Sequence, residues 1–362
     1  MASVLVSPLN WGLGHATRDI PVIQNLLSHG HEVTLAASGN ARKVLSLEFP
    51  DCRSIEFPDY PAPYSKSRFF LPKFAASIPA LLGAVSAERE GIQKILRRDK
   101  YDLIISDNRL GVFSGSTPSV FISHQLHYHL PLIAWPFELA AVWLNGFLHS
   151  KFDRVIVPDN PPGPLSLAGK LSRADSRPTR ERVYYSGILT SMRKRQADGD
   201  LDYLFIISGP EPQRTELEHI LLPQVERLEG SRTVLLGSPD RTDTPESRTG
   251  VTIMNYASTQ EKEYLMNRAG CIICRSGYTS MMELAELNKA SALLIPTPGQ
   301  TEQEYLAAYY QAAGWFPSVS QYSISLDQDL RPGKAYAGFP PMTGTEENVK
   351  RLYRDVLAGY LE

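Results

Sequence analysis

The chain has 362 residues, 43% of them hydrophobic, and a formal net charge of −2. That length suggests two domains, each with its own core, and the balanced charge removes any electrostatic case for nucleic acid as a partner. Three cysteines, Cys52, Cys271 and Cys274, are too few for a disulfide framework, and one C-x-x-C without a second pair or a histidine cluster does not complete a zinc site.

Cys271 and Cys274 sit in an apolar run and read as buried thiols, in keeping with a reducing, cytoplasmic setting. Met1 leads directly into a strand, without the pattern of a signal peptide. No run of about 18 uninterrupted apolar residues exists, so no transmembrane helix is expected.

Ser3 to Leu9 is a short apolar run that ends in Asn10-Trp11-Gly12-Leu13-Gly14-His15. A helix should follow, with Ile20, Ile23, Leu26 and Leu27 on one face. Glu32 to Ala37 is the next strand, and the three pieces form a β-α-β unit with a parallel pair. A helix over 40–49 and a strand over 54–57 continue the alternation. Residues 59–67 should be a loop, and 69–98 one or two helices broken near Pro79. Leu103 to Ser106 and Ser119 to Ser123 are strands that lead into Asp107-Asn108-Arg109 and His124-Gln125. A helix over 131–150 and strands over 154–157 and 183–189 complete the first half. The polar stretch 190–200 is the expected boundary.

The second half repeats the alternation. Tyr203 to Ile207 is a strand ending in Ser208-Gly209-Pro210-Glu211-Pro212-Gln213-Arg214. Further strands are expected at 233–236 and 251–254, and a helix at 258–267. Cys271 to Cys274 then leads through Arg275-Ser276-Gly277 into a helix starting near Thr279. Leu293 to Ile295 leads through Pro296-Thr297-Pro298-Gly299-Gln300 into a helix from Glu302. These two junctions should lie side by side at the carboxyl edge of a parallel sheet, where open α/β sheets bind ligands. Backbone N–H groups at a helix start suit a phosphate, and Glu283 suits the diol of a sugar. The last helix, over 346–360, should place Val349, Leu352, Tyr353, Val356 and Tyr360 on one face.

Gly12-Leu13-Gly14-His15, the strand-end pair His124-Gln125, and Arg275-Ser276-Gly277 through Glu283 with Gln303-Glu304-Tyr305 resemble the MurG-like family 28 glycosyltransferases of the GT-B superfamily. The match is densest from 255 to 314 and sparse in the first half. The resemblance implies an α/β fold of two Rossmann-like domains facing a central cleft. Residues 1–190 would form the acceptor domain and 191–340 the nucleotide-sugar donor domain. Residues 341–362 would pack back on the first domain. It further implies an inverting, metal-independent glycosyltransferase that takes a sugar from a nucleoside diphosphate sugar, UDP-linked as in the family. The acceptor is unassigned, lipid-linked or glycan. No cofactor is called for beyond the substrate nucleotide sugar.

The reaction needs the leaving diphosphate stabilised, the acceptor hydroxyl deprotonated and the donor held in line. In the donor half, Glu283 would take the ribose hydroxyls, and backbone N–H groups of Ser276 and Gly277 would face the diphosphate. Arg275 would either pair with phosphate or brace its loop. Gln303 and Glu304 would grip the donor sugar, with Gln300 lining the same pocket. Gly209 and Arg214 lie at the first turn of this half, where Arg214 would pair with the diphosphate and Glu211 would oppose that charge, and the base would lie near Tyr256. In the first half, His15 would act as base on the acceptor, with Asp107 as the alternative base. Asn10, Gly14, Arg18, His124 and Gln125 would line the acceptor side. A metal site from His124, His127 and His129 is disfavoured, because their spacing presents no common face.

Arg68-Phe69-Phe70-Leu71-Pro72-Lys73-Phe74 mixes aromatic and basic residues. It reads either as a helix packed in the core or as contact with a membrane surface, which would place the protein on the inner face of the membrane. Two rival functions share the architecture: a sugar-nucleotide 2-epimerase, for which no strong set of extra acid/base carboxylates is seen, and a non-catalytic nucleotide-sugar-binding protein.

Overall fold

Strand segments such as Val4-Leu5-Val6 and Leu103-Ile104-Ile105 are apolar at consecutive positions, which is the signature of a parallel sheet covered on both faces. A computed structural model describes residues 1–59, 70–127, 135–197, 199–239, 241–243, 250–331 and 336–362. The elements run β1 (Ser3–Pro8), α1 (Gly14–Ser28), β2 (Glu32–Ala37), α2 (Gly39–Glu48), β3 (Arg53–Glu56) and α3 (Phe70–Arg98). Then follow β4 (Leu103–Asp107), β5 (Ser119–Ile122), α4 (Trp135–His149), β6 (Arg154–Val157), α5 (Arg177–Arg180) and β7 (Val183–Tyr185). The order β3-β2-β1-β4-β5-β6-β7 makes one seven-stranded sheet, parallel throughout.

The second set is β8 (Leu201–Ile206), α6 (Gln213–Val225), β9 (Arg232–Leu235), β10 (Val251–Met254), α7 (Thr259–Arg268) and β11 (Ala269–Cys274). It continues with α8 (Tyr278–Glu286), β12 (Ala292–Leu294), α9 (Thr301–Ala312) and α10 (Leu326–Asp329). Its five strands lie in the order β10-β9-β8-β11-β12, again parallel. The chain ends in α11 (Thr345–Leu352), a π-helical turn over Tyr353–Leu357, and α12 (Ala358–Leu361).

The chain divides into two compact units, one of Met1–Ser191 with Thr343–Glu362 and one of Met192–Met342. In the first, Ile20, Ile23 and Leu26 of α1 pack with Val4, Val6, Leu103 and Ile105, and with Val349, Leu352, Tyr353 and Val356 from the C-terminal helical run. Asn348 fixes that run: its Nδ2 donates to the Ile188 carbonyl at 2.9 Å, while Thr345 Oγ1 accepts from the Thr190 N–H at 3.1 Å. Gly187 faces the Asn348 side chain with φ +80°, where a Cβ would both strain the backbone and collide. The second unit is centred on Phe205, Leu217, Leu221, Val234, Ile273 and Leu293.

Local expectations fail at four places. Leu27 lies at the margin of the α1 apolar face and is exposed. Helix α3 runs through Pro79 without a break, as a proline can bend a helix instead of ending it. The strand expected over 183–189 stops at Tyr185. The single terminal helix is interrupted by the π turn. Among the described residues no helix is long and apolar enough to cross a membrane, and no three His, Cys, Asp or Glu side chains gather as a metal-binding group. His129 and residues 68–69 lie outside the described residues.

Candidate functional site

In the first unit the strand order reverses between β1 and β4, since β1 leads to β2 on one side while β4 lies on the other. The carboxyl end of such a junction is where open α/β sheets take ligands. Pro8 at the end of β1 pairs with Asp107 at the end of β4, so the loop into α1 stands over Asp107. His15 and Arg18, three residues apart on α1, share a helix face and both turn to that carboxylate. His15 Nδ1 lies 2.8 Å from Asp107 Oδ1. Arg18 Nε donates to Asp107 Oδ2 at 2.5 Å, and Arg18 Nη2 bonds Asp107 Oδ1 as well. Arg18 Nη1 lies 3.1 Å from Nδ1 of His124, just beyond β5.

An ionised carboxylate only accepts, so a His15–Asp107 hydrogen bond places the proton on Nδ1 and leaves the Nε2 lone pair available; Arg18 Nη2 also lies 2.9 Å from that Nδ1. The histidine side chain keeps 13% of its surface, against 1% for Arg18 and 0% for Asp107. Burial lowers the His15 pKa from its ordinary 6.5, against the opposing pull of Asp107, so the ring is neutral at pH 7. Burial alone would raise Asp107; the Arg18 guanidinium and His15 outweigh it and hold that carboxyl well below the usual carboxylate range. Asp107, expected as an alternative base, is therefore a buried, permanently ionised partner of His15 and Arg18. Arg18, expected to line an acceptor pocket, is fully buried in the same ion pair.

The remaining first-unit residues are scattered. Gly14 opens α1. Asn10 turns to α2, where its Oδ1 accepts from the Ala41 N–H at 2.9 Å. Gln125 is half-buried, with its N–H bonded to Ser123 Oγ. His127 pairs with Asp175 at 2.7 Å.

In the second unit the order reverses between β8 and β11. Three helices begin along that carboxyl edge, α6 after β8, α8 after β11 and α9 after β12, and none has a side-chain cap at its N-terminus. Their first N–H groups form the type of surface that binds phosphate. Arg275 fastens the loops together and is 1% exposed. Its Nε donates to the Ser208 carbonyl at 3.2 Å, Nη1 to those of Ile295 and Pro296 at 3.2 Å, and Nη2 to that of Gln213 at 2.9 Å. Of its two expected roles, bracing is the one its hydrogen bonds serve. Ser276 Oγ donates to the Gln303 carbonyl at 2.8 Å, joining the starts of α8 and α9.

Gly209 has φ +119°, and a Cβ there would stand 3.4 Å from Thr297 Oγ1, a buried hydroxyl without a hydrogen-bond partner among the described residues. Gln303 Oε1 accepts from the Thr297 N–H, and its amide also bonds Gln300. Glu304 is exposed and accepts from the Gly299 N–H. Tyr256 stands 41% exposed after β10. Arg214, expected at the diphosphate, is drawn away: it bonds Glu211 and Glu218 and the Leu236 carbonyl. Glu283 is 2% exposed and held by Lys262 of α7.

Three residues were missed in the sequence. Lys262 and Thr297 carried no motif, because each meets its partner only through the fold. Asp19 stood beside Arg18 in plain view; it is buried, and among the described residues no N–H or O–H donor reaches either oxygen.

No family model matches the chain. A protein of Methanosarcina acetivorans described as an uncharacterized glycosyltransferase is 23% identical over 326 residues, covering 84% of this chain and 82% of that one. Among solved structures, the glycotransferase of kitacinnamycin superposes with a TM-score of 0.62 at 12% identity, over 100% of this chain and 99% of that one. The Streptomyces sp. SF2575 glycosyltransferase SsfS6, complexed with thymidine diphosphate, gives 0.60 at 14% identity, over 99% and 96%. The two parallel-sheet Rossmann-like domains have the GT-B fold of these structures.

Proposed function

We propose that the chain is an inverting, metal-independent glycosyltransferase of the MurG-like type, moving a sugar from a UDP-linked donor to an acceptor hydroxyl. The observation that carries the reading is the His15–Asp107 couple, a neutral imidazole oriented by a buried carboxylate with its Nε2 lone pair unspent. Nε2 takes the proton of the acceptor hydroxyl as that oxygen bonds to the anomeric carbon. The bond from the anomeric carbon to the phosphate oxygen breaks in the same displacement, and its electron pair leaves with the diphosphate. Asp107 stabilises the imidazolium that forms, as a carboxylate does for a general-base histidine. The uncapped starts of α8 and α9 supply N–H donors for the charge that develops on the leaving group.

The donor class is supported from two sides: the chain carries the family-like Ser276-Gly277 and Glu283 positions, and SsfS6 was solved with a nucleoside diphosphate. Incubation with UDP- and dTDP-sugars and a panel of hydroxyl acceptors tests the reading. Release of free nucleoside diphosphate that depends on acceptor supports it. An epimerised sugar nucleotide would assign the chain to the epimerases, and binding without turnover would leave a sugar-nucleotide receptor.

A cytoplasmic, membrane-peripheral location belongs to the same proposal. Its support is on α4, where Trp143 and Phe147 stack on an exposed face and Lys151 stands over the Phe147 ring, an aromatic and basic combination suited to a lipid interface. Co-sedimentation with anionic vesicles, lost in Trp143→Ser with Phe147→Ser, is the check.

A further inference from the structure

Asp19 is 1% exposed, and no N–H or O–H donor reaches either of its oxygens among the described residues. An ionised carboxylate in that position would be a buried charge with nothing to solvate it, a cost of the largest kind in a protein interior. Arg18 and Asp107 act on it electrostatically, and the Asp107 carboxyl is within hydrogen-bonding reach. Arg18 is engaged with Asp107 and His124, and His15 faces Asp107. Two carboxylates cannot bond each other, because both only accept. One proton between them turns the contact into a charge-assisted hydrogen bond. Asp107 is already paired with the Arg18 guanidinium and hydrogen-bonded to His15, so the proton belongs to Asp19.

We propose that Asp19 is a neutral carboxylic acid that donates its proton to the Asp107 carboxylate, and that it is a positioning residue which sets, through Asp107, how basic His15 is. Burial, with the charge of Asp107 second, raises the Asp19 pKa well above its ordinary value, in agreement with this assignment. The hydrogen bond draws charge from Asp107, so the histidine feels less than a full carboxylate and stays neutral at pH 7. The consequence for turnover rests on the proposed role of His15, whereas the proton on Asp19 does not.

The test follows the His15 ring by proton NMR in the full-length protein, which needs no substrate. Asp19→Asn keeps a neutral side chain with an N–H for Asp107, so the His15 pKa should stay where it is. Asp19→Ala removes the donor and should raise it by roughly half a unit. A His15 pKa that falls in Asp19→Asn would show that a negative charge had been lost, and would overturn the proposal. So would equal effects of the two substitutions. Infrared spectra supply a measurement that survives misfolding of either variant. The wild-type protein at pH 7 should show a protonated-carboxyl C=O band that shifts in Asp107→Asn, and its absence or indifference would also overturn the proposal. If the NMR and infrared results hold while no glycosyl transfer is found, the functional reading fails and the proton assignment stands.

Discussion

Lys262 Nζ lies 2.7 Å from both carboxylate oxygens of Glu283, so the carboxylate expected to face a ribose diol already holds an ammonium group. Glu283 is nearly inaccessible, while Lys262 keeps 24% of its side-chain surface. The pair carries no net charge, and either partner alone would leave a buried ion.

Lys262→Met should therefore destabilise the second unit by about 3–5 kcal/mol, the usual result of breaking one side of a buried pair. Urea unfolding monitors this. If Glu283 also binds ribose, Glu283→Gln should weaken UDP binding about tenfold, the scale of a hydrogen bond to a charged group. It should do much less to 2′-deoxyuridine diphosphate. Calorimetric titration with both nucleotides separates a ribose contact from a purely structural pair.

His15→Ala should lower kcat by about 10²- to 10⁴-fold with KM for the donor little changed, since the ring acts on the acceptor's proton. Asp107→Asn should be worse for the fold. It takes from the buried Arg18 the carboxylate that its Nε and Nη2 bond, at a cost of about 3–5 kcal/mol. A variant with wild-type kcat after loss of His15 would remove the imidazole from the mechanism.

The pH dependence has a definite sign. His15 titrates below its ordinary 6.5, so kcat/KM should hold down through pH 6.5 and fall at lower pH as the imidazole protonates. A depressed folded pKa means the unfolded chain binds more protons. The His15 contribution to stability is thus complete above 6.5 and is lost as pH falls through the lower folded value. Asp107 behaves likewise, its contribution present above 3.8 and lost only in stronger acid. Asp19 runs the other way. Its folded pKa is raised, so its contribution is present below 3.8 and is lost as pH rises through the raised value. Thermal unfolding at a series of pH values, compared between wild type and His15→Ala, reads these slopes.

Arg275→Lys should be as harmful as Arg275→Met if bracing is its work. A lysine cannot span carbonyls on two loops as the planar guanidinium does, and each unsatisfied buried carbonyl costs about 1–3 kcal/mol. A diphosphate contact would instead be partly kept by the lysine charge. Chemical unfolding together with UDP affinity for the two variants distinguishes these roles.

Much of the architecture could be read from periodicity. Apolar runs such as Leu103-Ile104-Ile105 alternating with amphipathic helices state a parallel α/β sheet outright, and the glycine-containing turns mark its ligand-binding edge. The sequence could show His15 and Asp107 as separate strand-edge residues. It could not show that they touch, because 92 residues separate them and only the neighbouring positions of β1 and β4 bring them together. The role of Arg275 was undecided for another reason: its partners are backbone carbonyls, which have no sequence identity. Lys262 was missed because the polar positions of α7 look alike until one of them meets a buried acid. Arg214 was misplaced because Glu211 and Glu218, three residues before it and four after, compete with the diphosphate for its guanidinium.

The return of Thr343–Glu362 to the first unit has a consequence for synthesis. Val349, Leu352, Val356 and Leu361 belong to the same core as Val4 and Ile23, yet they leave the ribosome only after all of Met192–Met342. The amino-terminal unit must wait, its core open, while all of Met192–Met342 emerges and folds. A nascent chain stalled before residue 343 should therefore carry a finished second unit and a protease-sensitive first one, the reverse of the order in which their residues were joined.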